Sequence, residues 1–345
     1  RQESKAEDCE VEPIVFPGVF PLFGQADIVH SSGHRNDAIQ ADLLNNLQQI
    51  SQAIELIQKK LTFHLLDQAA LEVEDMVRDL NRGITSSNEY HALQFIQNTI
   101  HPIFSELQER NPDLRATLDA YFRQIDPELD ILYDRRKAYE QSVAIINRSI
   151  SDMLDEEQAR VQEIVPHFYE KYETDGVAYN IYAGDSILRN RSFKPHHLRN
   201  LRLWQLTSMC RITRKVYELQ QRMPIPLTTA QLILVHSSPL SIRFRMDEKR
   251  FDVDGTYNVR YEIVKKRIDK ALVKGRNERL TLSDRIAIAY QQEEDRNEYL
   301  GYLKYLKRKG WIEARIEDLE VEPLQGVHGL KALRVKVKYP EGAKA

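Results

Sequence analysis

Apolar residues recur at steps of three and four from residue 39 onward. Ile39, Leu43, Leu47, Ile50, Ile54, Ile57 and Leu61 predict one amphipathic helix. Leu66, Ala70, Val73, Val77 and Leu80 predict a second, ended by Asn81-Arg82-Gly83. A third carries Leu93, Ile96, Ile100, Ile103 and Leu107, with Ser86 or Ser87 as cap and Pro102 as an expected kink. Pro112 opens a short helix through Leu114, Leu118 and Phe122. Leu129, Leu132, Tyr139, Val143, Ile146, Ile150 and Met153 then form a seam of heptad type. It predicts a long helix over 127–165, roughly 58 Å at about 1.5 Å per residue, with Pro127 in its first turn.

The flanks of this helical run read differently. Pro13 to Ile28 is apolar but broken by Pro17, Gly18, Pro21 and Gly24, which excludes helix. It is expected to lie extended across a domain surface, burying Val15, Phe16, Phe20 and Phe23. Beyond Pro166 strand patterns appear at 177–182, 232–236, 241–246, 286–290, 311–321 and 330–339. Helices are predicted at 198–222, 258–273 (strongly basic) and 293–309. The architecture predicted is therefore α+β: an N-terminal antiparallel helical bundle, a long connecting helix and a C-terminal mixed α+β domain. Its segments are an extended lead-in at 1–30, the bundle at 31–126, the connecting helix at 127–165, packing with the bundle, and the α+β domain at 166–345.

Composition narrows the class. The chain of 345 residues has 13 glycines and 13 prolines, too few for a linker or low-complexity protein. No apolar run approaches the roughly 18 residues of a membrane span. Two cysteines, Cys9 and Cys210, make no disulfide framework and point to a reducing cytoplasm. The start, Arg-Gln-Glu-Ser-Lys, carries no signal-peptide pattern and no initiator Met, as expected of a fragment or processed chain. The net charge of −3 conceals an asymmetry. Residues 1–185 hold 33 acids against 16 bases, and residues 186–285 hold 9 acids against 22 bases. The basic section suits either phosphate or the acidic half of the same chain; the second reading is the simpler.

Two stretches offer candidate chemistry. Ser31, Ser32, Arg35 and Asn36 stand at a helix start, where free N–H groups favour an anion. A serine N-cap and an arginine paired with an acid of the bundle are the simpler account. Arg243, Arg245, Asp252, Asp254, Asn258 and Arg260 mix bases and acids, as a site for a phosphorylated ligand would. A charged loop turning at Asp254-Gly255 is the plainer account. The Asp252-x-Asp254-Gly255 run is no calcium loop, since Arg250 and Tyr261 occupy ligand positions. His30 and His34, the pair His196-His197, and His64, His91 and His101 form no metal pattern and are expected at surfaces or caps. Phosphate-binding, nucleophile-elbow and dinucleotide motifs are absent. No metal, cofactor or catalytic residue is expected, and the sequence leans away from an enzyme.

Three stretches carry a family resemblance: Pro21-Leu-Phe-Gly-Gln-Ala-Asp-Ile28 with Ser31, Ser32, Arg35 and Asn36; Thr174-Asp-Gly-Val-Ala-Tyr-Asn-Ile-Tyr182; and Arg243 through Ala271. They are similar to the region C-terminal to the GAF domain in larger bacterial GAF-domain-containing proteins, over nearly the whole chain. That resemblance implies cytoplasmic signalling and nominates no catalytic residue; the GAF module itself is not evident. The leading expectation is a non-catalytic sensory or signal-transducing module, packed as a homodimer or as an intramolecular bundle, with no membrane association. The alternative is an enzyme or binder of a small anionic, phosphorylated molecule through residues 243–260. Nucleic-acid binding through the basic section 186–285 is a third, disfavoured for want of a recognition motif.

Overall fold

The computed structural model describes residues 14–188, 192–254, 259–324 and 327–339, with the backbone alone for Val259 and Arg260. In chain order the elements are β1 (Ile14–Ile28), α1 (Ser31–Gln58), α2 (His64–Asn81), α3 (Ser86–Phe95), α4 (His101–Arg110), α5 (Pro112–Phe122), β2 (Ile125–Asp126), β3 (Ile131–Leu132) and α6 (Arg135–Gln162). They continue as β4 (Phe168–Thr174), β5 (Gly176–Gly184), α7 (Pro195–Leu219), β6 (Thr229–Val235), β7 (Leu240–Arg245), β8 (Arg250–Val253), α8 (Val259–Lys265), β9 (Arg285–Tyr290), α9 (Glu293–Arg308), β10 (Ile312–Glu320) and β11 (Lys331–Val337). Two compact units result: residues through Val29 together with those from Val143 onward, and His30–Ser142.

The first unit overturns the expected order of a helical bundle followed by an α+β domain. Strand begins at Ile14, and β1 lies inside a nine-stranded sheet of order β10-β11-β9-β6-β1-β5-β4, with β7 also paired to β1 and β8 to β7. The architecture is mixed α+β, but its sheet needs the segment expected to be a surface lead-in. Val19 to Asp27 pair with β5, Leu22 to Ile28 with β6, and Ile14 to Val19 with β7. All neighbours run antiparallel except β6 and β9. The prolines fit because they fall where pairing with β7 and β6, along one edge of β1, is interrupted. Pro17 and Gly18, the latter at φ 69°, occupy the irregularity between Phe16 and Val19. Pro21 falls between the end of the β7 pairing at Val19 and the start of the β6 pairing at Leu22.

The strands from 240 to 253 form a hairpin, β7–β8, whereas β6 and β7 do not pair with each other; both line up along β1. One sheet face carries Val19, Phe23, Tyr182, Leu232, Leu234, Ala287 and Ala332, covered by Tyr261 and Val264 of α8 and by Ile268, Val273 and Leu280. The basic helix expected over 258–273 stops at Lys265, followed by a turn and a short 3-10 segment at Ile268–Lys270. On the opposite face α7 packs against β1, β6, β9 and β11. At Gly24 a side chain would meet Met209 and the Tyr179 ring, so glycine here lets α7 approach β1.

The helical unit holds a core of its own. Leu43, Leu47, Ile50, Ile54 and Ile57 of α1 meet Leu66 and Val73 of α2, Phe95, Phe104 and Leu107, and Leu114 and Leu118 of α5. Where Pro102 is expected to disturb the third helix, the helix is interrupted. A π-helical turn, Ile96–Ile100, joins α3 to α4, with the His101 N–H bonded to the Ile96 carbonyl. Proline supplies no N–H to the residue four back and its ring crowds that carbonyl, so the turn widens. Thr85, rather than Ser86 or Ser87, caps α3, in a reciprocal pair with Asn88.

The long helix is shorter than its seam. The Asp126 carboxylate accepts from the N–H groups of Glu128 and Leu129 at 3.0 and 3.1 Å, which turns the chain instead of starting a helix at Pro127. The β2–β3 ribbon follows, and α6 begins at Arg135. The carboxylate of Asp42, in α1, accepts from the N–H groups of Arg135 and Arg136 at 2.9 Å each, filling the place of an N-cap.

Gly176 provides the test of the β1–β5 pairing. It opposes Asp27 at φ 140°, and a Cβ there would stand 2.3 Å from the Ala26 carbonyl oxygen. Gly176→Ala is expected to lower stability by about 2–4 kcal/mol, read as a shift in the urea midpoint. An unchanged midpoint would refute the register.

Candidate functional site

Residues 21–28, 174–182 and 243–253 all supply strands of the sheet that contains β1. The first lies in β1, the second is β5 with the turn before it, and the third lies in β7 and β8. The C-terminal end of β1 is rich in carboxylates. Asp27 is the last polar residue of the strand, opposite Gly176, and the Ile28 N–H donates to the Asp175 carbonyl at 2.9 Å. Burial first, then the charges of Asp269 and Asp175, push the Asp27 carboxyl up to about 6, while the Ile28 N–H and Arg279 pull it down. One oxygen of Asp269, Oδ1, is sealed from solvent with no hydrogen-bond partner. The cluster can therefore hold a proton at mildly acidic pH. Among the described residues no three His, Cys, Asp or Glu side chains are placed to hold a metal ion.

The residues singled out from sequence lie elsewhere. Arg243 meets Asp254 at 3.5 Å. Arg245 meets Asp247 at 2.7, Glu248 at 2.8 and Asp252 at 3.3 Å. The β7–β8 hairpin thus satisfies its arginines with its own acids on a partly exposed surface, where such pairs add little stability. Asn258 and the Arg260 side chain lie outside the described residues. Ser31, Ser32, Arg35 and Asn36 sit in the first turns of α1, in the helical unit. Neither serine is the cap: His30 holds that position in the left-handed region, with no side-chain cap bond. The Ser31 carbonyl accepts from the Tyr139 hydroxyl at 3.1 Å.

A second polar cluster went unread in the sequence. Arg202 of α7 is buried beside Asp295 and Glu298 of α9, at 3.5 and 3.0 Å, and donates to Ser237 Oγ at 3.1 Å. Ser237 in turn donates to Asp295, and Tyr302 to Glu298. Ser237 follows the end of β6 and Asp295 lies in the first turn of α9, just past β9, so the network sits at the ends of the two parallel strands. Neighbouring His236 is kept neutral chiefly by burial, against the pull of the Asp295 charge. The signal available was a lone arginine on the stripe Leu201, Gln205 and Met209 of α7. A cleft of about 460 Å³ lies on the other side of α9, lined by Tyr290, Glu293, Arg296, Asp318, Leu319, Glu320 and Lys331. Its charges are also matched: Arg296 to Asp318 at 2.6 Å and Lys331 to Glu293 at 2.6 Å.

No helix among the described residues is long and apolar enough to cross a membrane. No family model matches the chain, and no curated protein matches it. Among solved structures, the crystal structure of a guanylyl cyclase aligns over 59% of this chain and 83% of its own, at 14% identity and a TM-score of 0.31. A likeness at that level carries no argument about activity.

Two predictions follow from the polar clusters. Because the folded Asp27 binds its proton more tightly than the ordinary value of 3.8, the native state gains protons relative to the unfolded chain between pH 4 and 6. Stability should fall as pH rises through that window. Asp27→Asn should flatten the profile and exceed wild type above pH 6 by about 1–3 kcal/mol; parallel urea-unfolding profiles would rule out the assignment. Arg202→Ala strands Asp295 in the interior and should cost about 3–5 kcal/mol, whereas R202A/D295A should cost less than the two single changes added together. Additive costs in the double-mutant cycle would show that the pair is not coupled.

Proposed function

We propose that this chain is a non-catalytic signal-transducing module of the kind found C-terminal to a GAF domain in larger bacterial proteins, acting in the cytoplasm, with α6 as its transmitting element. One observation carries the reading: α6 is a single 28-residue helix whose residues belong to both compact units, and each unit grips it by specific bonds. In the helical unit Asp42 holds its first N–H groups, and Tyr139 is buried and bonded to Ser31. In the sheet unit Asn147 donates to the Thr174 carbonyl at 2.6 Å and Ser151 to Glu173. Lys171 and Arg211 bind Asp155 and Glu157 there at 2.7 and 2.5 Å. A continuous helix is stiff over about 42 Å, so a shift imposed at one end reaches the other.

The seam of α6 is filled within one chain: Tyr139, Ile146, Ile150 and Leu154 are all buried. That favours the intramolecular packing over a homodimer built on this helix. Arg243 and Arg245 of the β7–β8 hairpin are already matched by acids beside them, which counts against the phosphorylated-ligand alternative.

Breaking the helix at exposed Ala144 tests the transmission. Ala144→Pro costs about 3 kcal/mol locally and should split one cooperative thermal transition into two. A single transition, merely moved to lower temperature, would argue that α6 does not couple the units.

A further inference from the structure

We propose that His167 is an acid-sensitive clamp: its neutral ring locks the turn that leads from α6 into β4, and uptake of a proton opens that turn. The clamp lies within the sheet unit and stands whether or not α6 transmits a signal. His167 is 3% exposed and directly precedes the first residue of β4. His101, expected at a surface, is buried too, but both its ring nitrogens have neighbours, Asp130 at 2.9 Å and Tyr121 at 2.8 Å. In His167 one ring nitrogen has a partner and the other has none.

Three bonds close the turn at this one residue. Gln162, the last residue of α6, donates from Nε2 to the His167 carbonyl at 2.7 Å. Its Oε1 accepts from the His167 N–H at 2.8 Å. The side-chain amide thus stands in for a neighbouring strand just where β4 begins. Its orientation is fixed, because turning it over would set donor against donor and acceptor against acceptor at once. The third bond joins the ring Nδ1 to the Val165 carbonyl at 2.6 Å. Val165 is itself buried, and its N–H returns to the Val161 carbonyl of α6 at 2.9 Å.

These contacts define the state of the ring. A carbonyl can only accept, so Nδ1 carries a proton. Turning the ring over would place carbon against that carbonyl and lose the bond. Nε2 is sealed from solvent with no hydrogen-bond partner among the described residues. A neutral ring leaves only a bare lone pair there. A second proton would put a charge and an unanswered donor into the same sealed space. The charged groups alongside are committed elsewhere. On α6, Glu163 is exposed and Glu157 is bound by Arg160 and Arg211. On β4, Lys171 is bound to Asp155, and Glu170 accepts from Tyr172 and from the Phe251 N–H. Burial resists the charge of the ring and the Val165 carbonyl favours it; burial is the larger, so the ring takes a proton less readily than an ordinary histidine.

The ring can therefore accept its second proton only by leaving the pocket, which breaks the Val165 bond and pulls on the Gln162 pair. The open turn binds that proton near the ordinary value of 6.5, and the closed turn binds it more weakly. The clamp is at full strength above that pH and weakens as pH falls below it, by up to about tenfold per pH unit. Opening frees the start of β4, where Phe168 pairs with Tyr182 and stacks on Phe251 at 4.5 Å. The far end of β4 stays tied to α6 through Asn147 and the Thr174 carbonyl. Acid thus loosens the joint between helix and edge strand without detaching the strand. Asp27, in the same unit, acts in the opposite sense, since it strengthens the fold as pH falls.

The test uses the full chain labelled with nitrogen-15. At pH 7.5, long-range proton–nitrogen spectra should show the His167 ring protonated at Nδ1 and bare at Nε2. From pH 7.5 to 5.5, exchange of the His167 amide, corrected for intrinsic rate, should quicken about tenfold. Neither measurement needs a variant. His167→Asn keeps a donor at the place of Nδ1 and does not titrate. It should abolish the pH effect, although His236, which burial also keeps neutral, remains in place. A ring protonated at Nε2 at pH 7.5 overturns the proposal, as does equal protection at both pH values. So does a His167→Asn variant that keeps the full pH effect.

Discussion

A strand buried in the middle of a sheet must find hydrogen-bond partners along both edges, and β1 finds them only in segments far along the chain. On one edge it is met by β5, on the other by β6 and β7 in series. Each of those segments arrives after the whole helical unit has been spelled out. The sheet unit is therefore discontinuous in sequence and continuous in space. Its boundaries follow from that one requirement, as does the placing of Asp175 near Asp27 at one end of β1 and of the β7–β8 hairpin at the other.

Buried charges mark the places where helices and loops are pinned to this sheet. Arg202 ties α7 to α9 through two carboxylates and a serine. Arg334, the largest of the fully buried side chains, does the same for β11. It meets Glu278 at 2.5 and Glu317 at 2.8 Å and donates to the carbonyls of Arg279 and Leu280. Buried ion pairs gain little net stability against their desolvation. What they impose is position, since a guanidinium left without its carboxylates is severely penalised. Asp27 is the contrary case, a carboxyl kept among like charges rather than opposite ones.

Helices were legible because their pattern is local. A stripe at every third or fourth residue marks α1 and α2 without reference to anything else in the chain. The sheet was less legible, because pairing is not local. Val15, Phe16 and Phe23 announce an apolar segment, but Pro17 and Pro21 hide that it is a strand, and nothing nearby reveals β5 as its partner. β4, reading Phe-Tyr-Glu-Lys-Tyr-Glu-Thr, is a partly exposed edge strand with too few apolar residues to declare itself. The stop at Asp126 depends on one carboxylate capturing two N–H groups, which no periodicity records. The candidate residues fared similarly. Arg243 and Arg245 were visible as charges, yet their neutralisation depends on the hairpin register. Arg202, Ser237 and Asp295 share no spacing that a motif could express.

The prolines of β1 bear on how the chain survives its own synthesis. While α1 to α5 form from local contacts, Ile14 to Ile28 has been made and its partners have not. At about 5–20 residues per second, the interval before β6 and β7 emerge is on the order of 10 s or more. Throughout it, Phe16, Phe20 and Phe23 lie on a strand with two open edges, the kind of template that recruits other unfinished chains. Pro17 and Pro21 remove two donors from those edges and disrupt a regular ladder with any stranger, while the native partners are shaped to leave gaps at both positions. The interruptions that conceal β1 from a reader of the sequence also conceal it from neighbouring nascent chains.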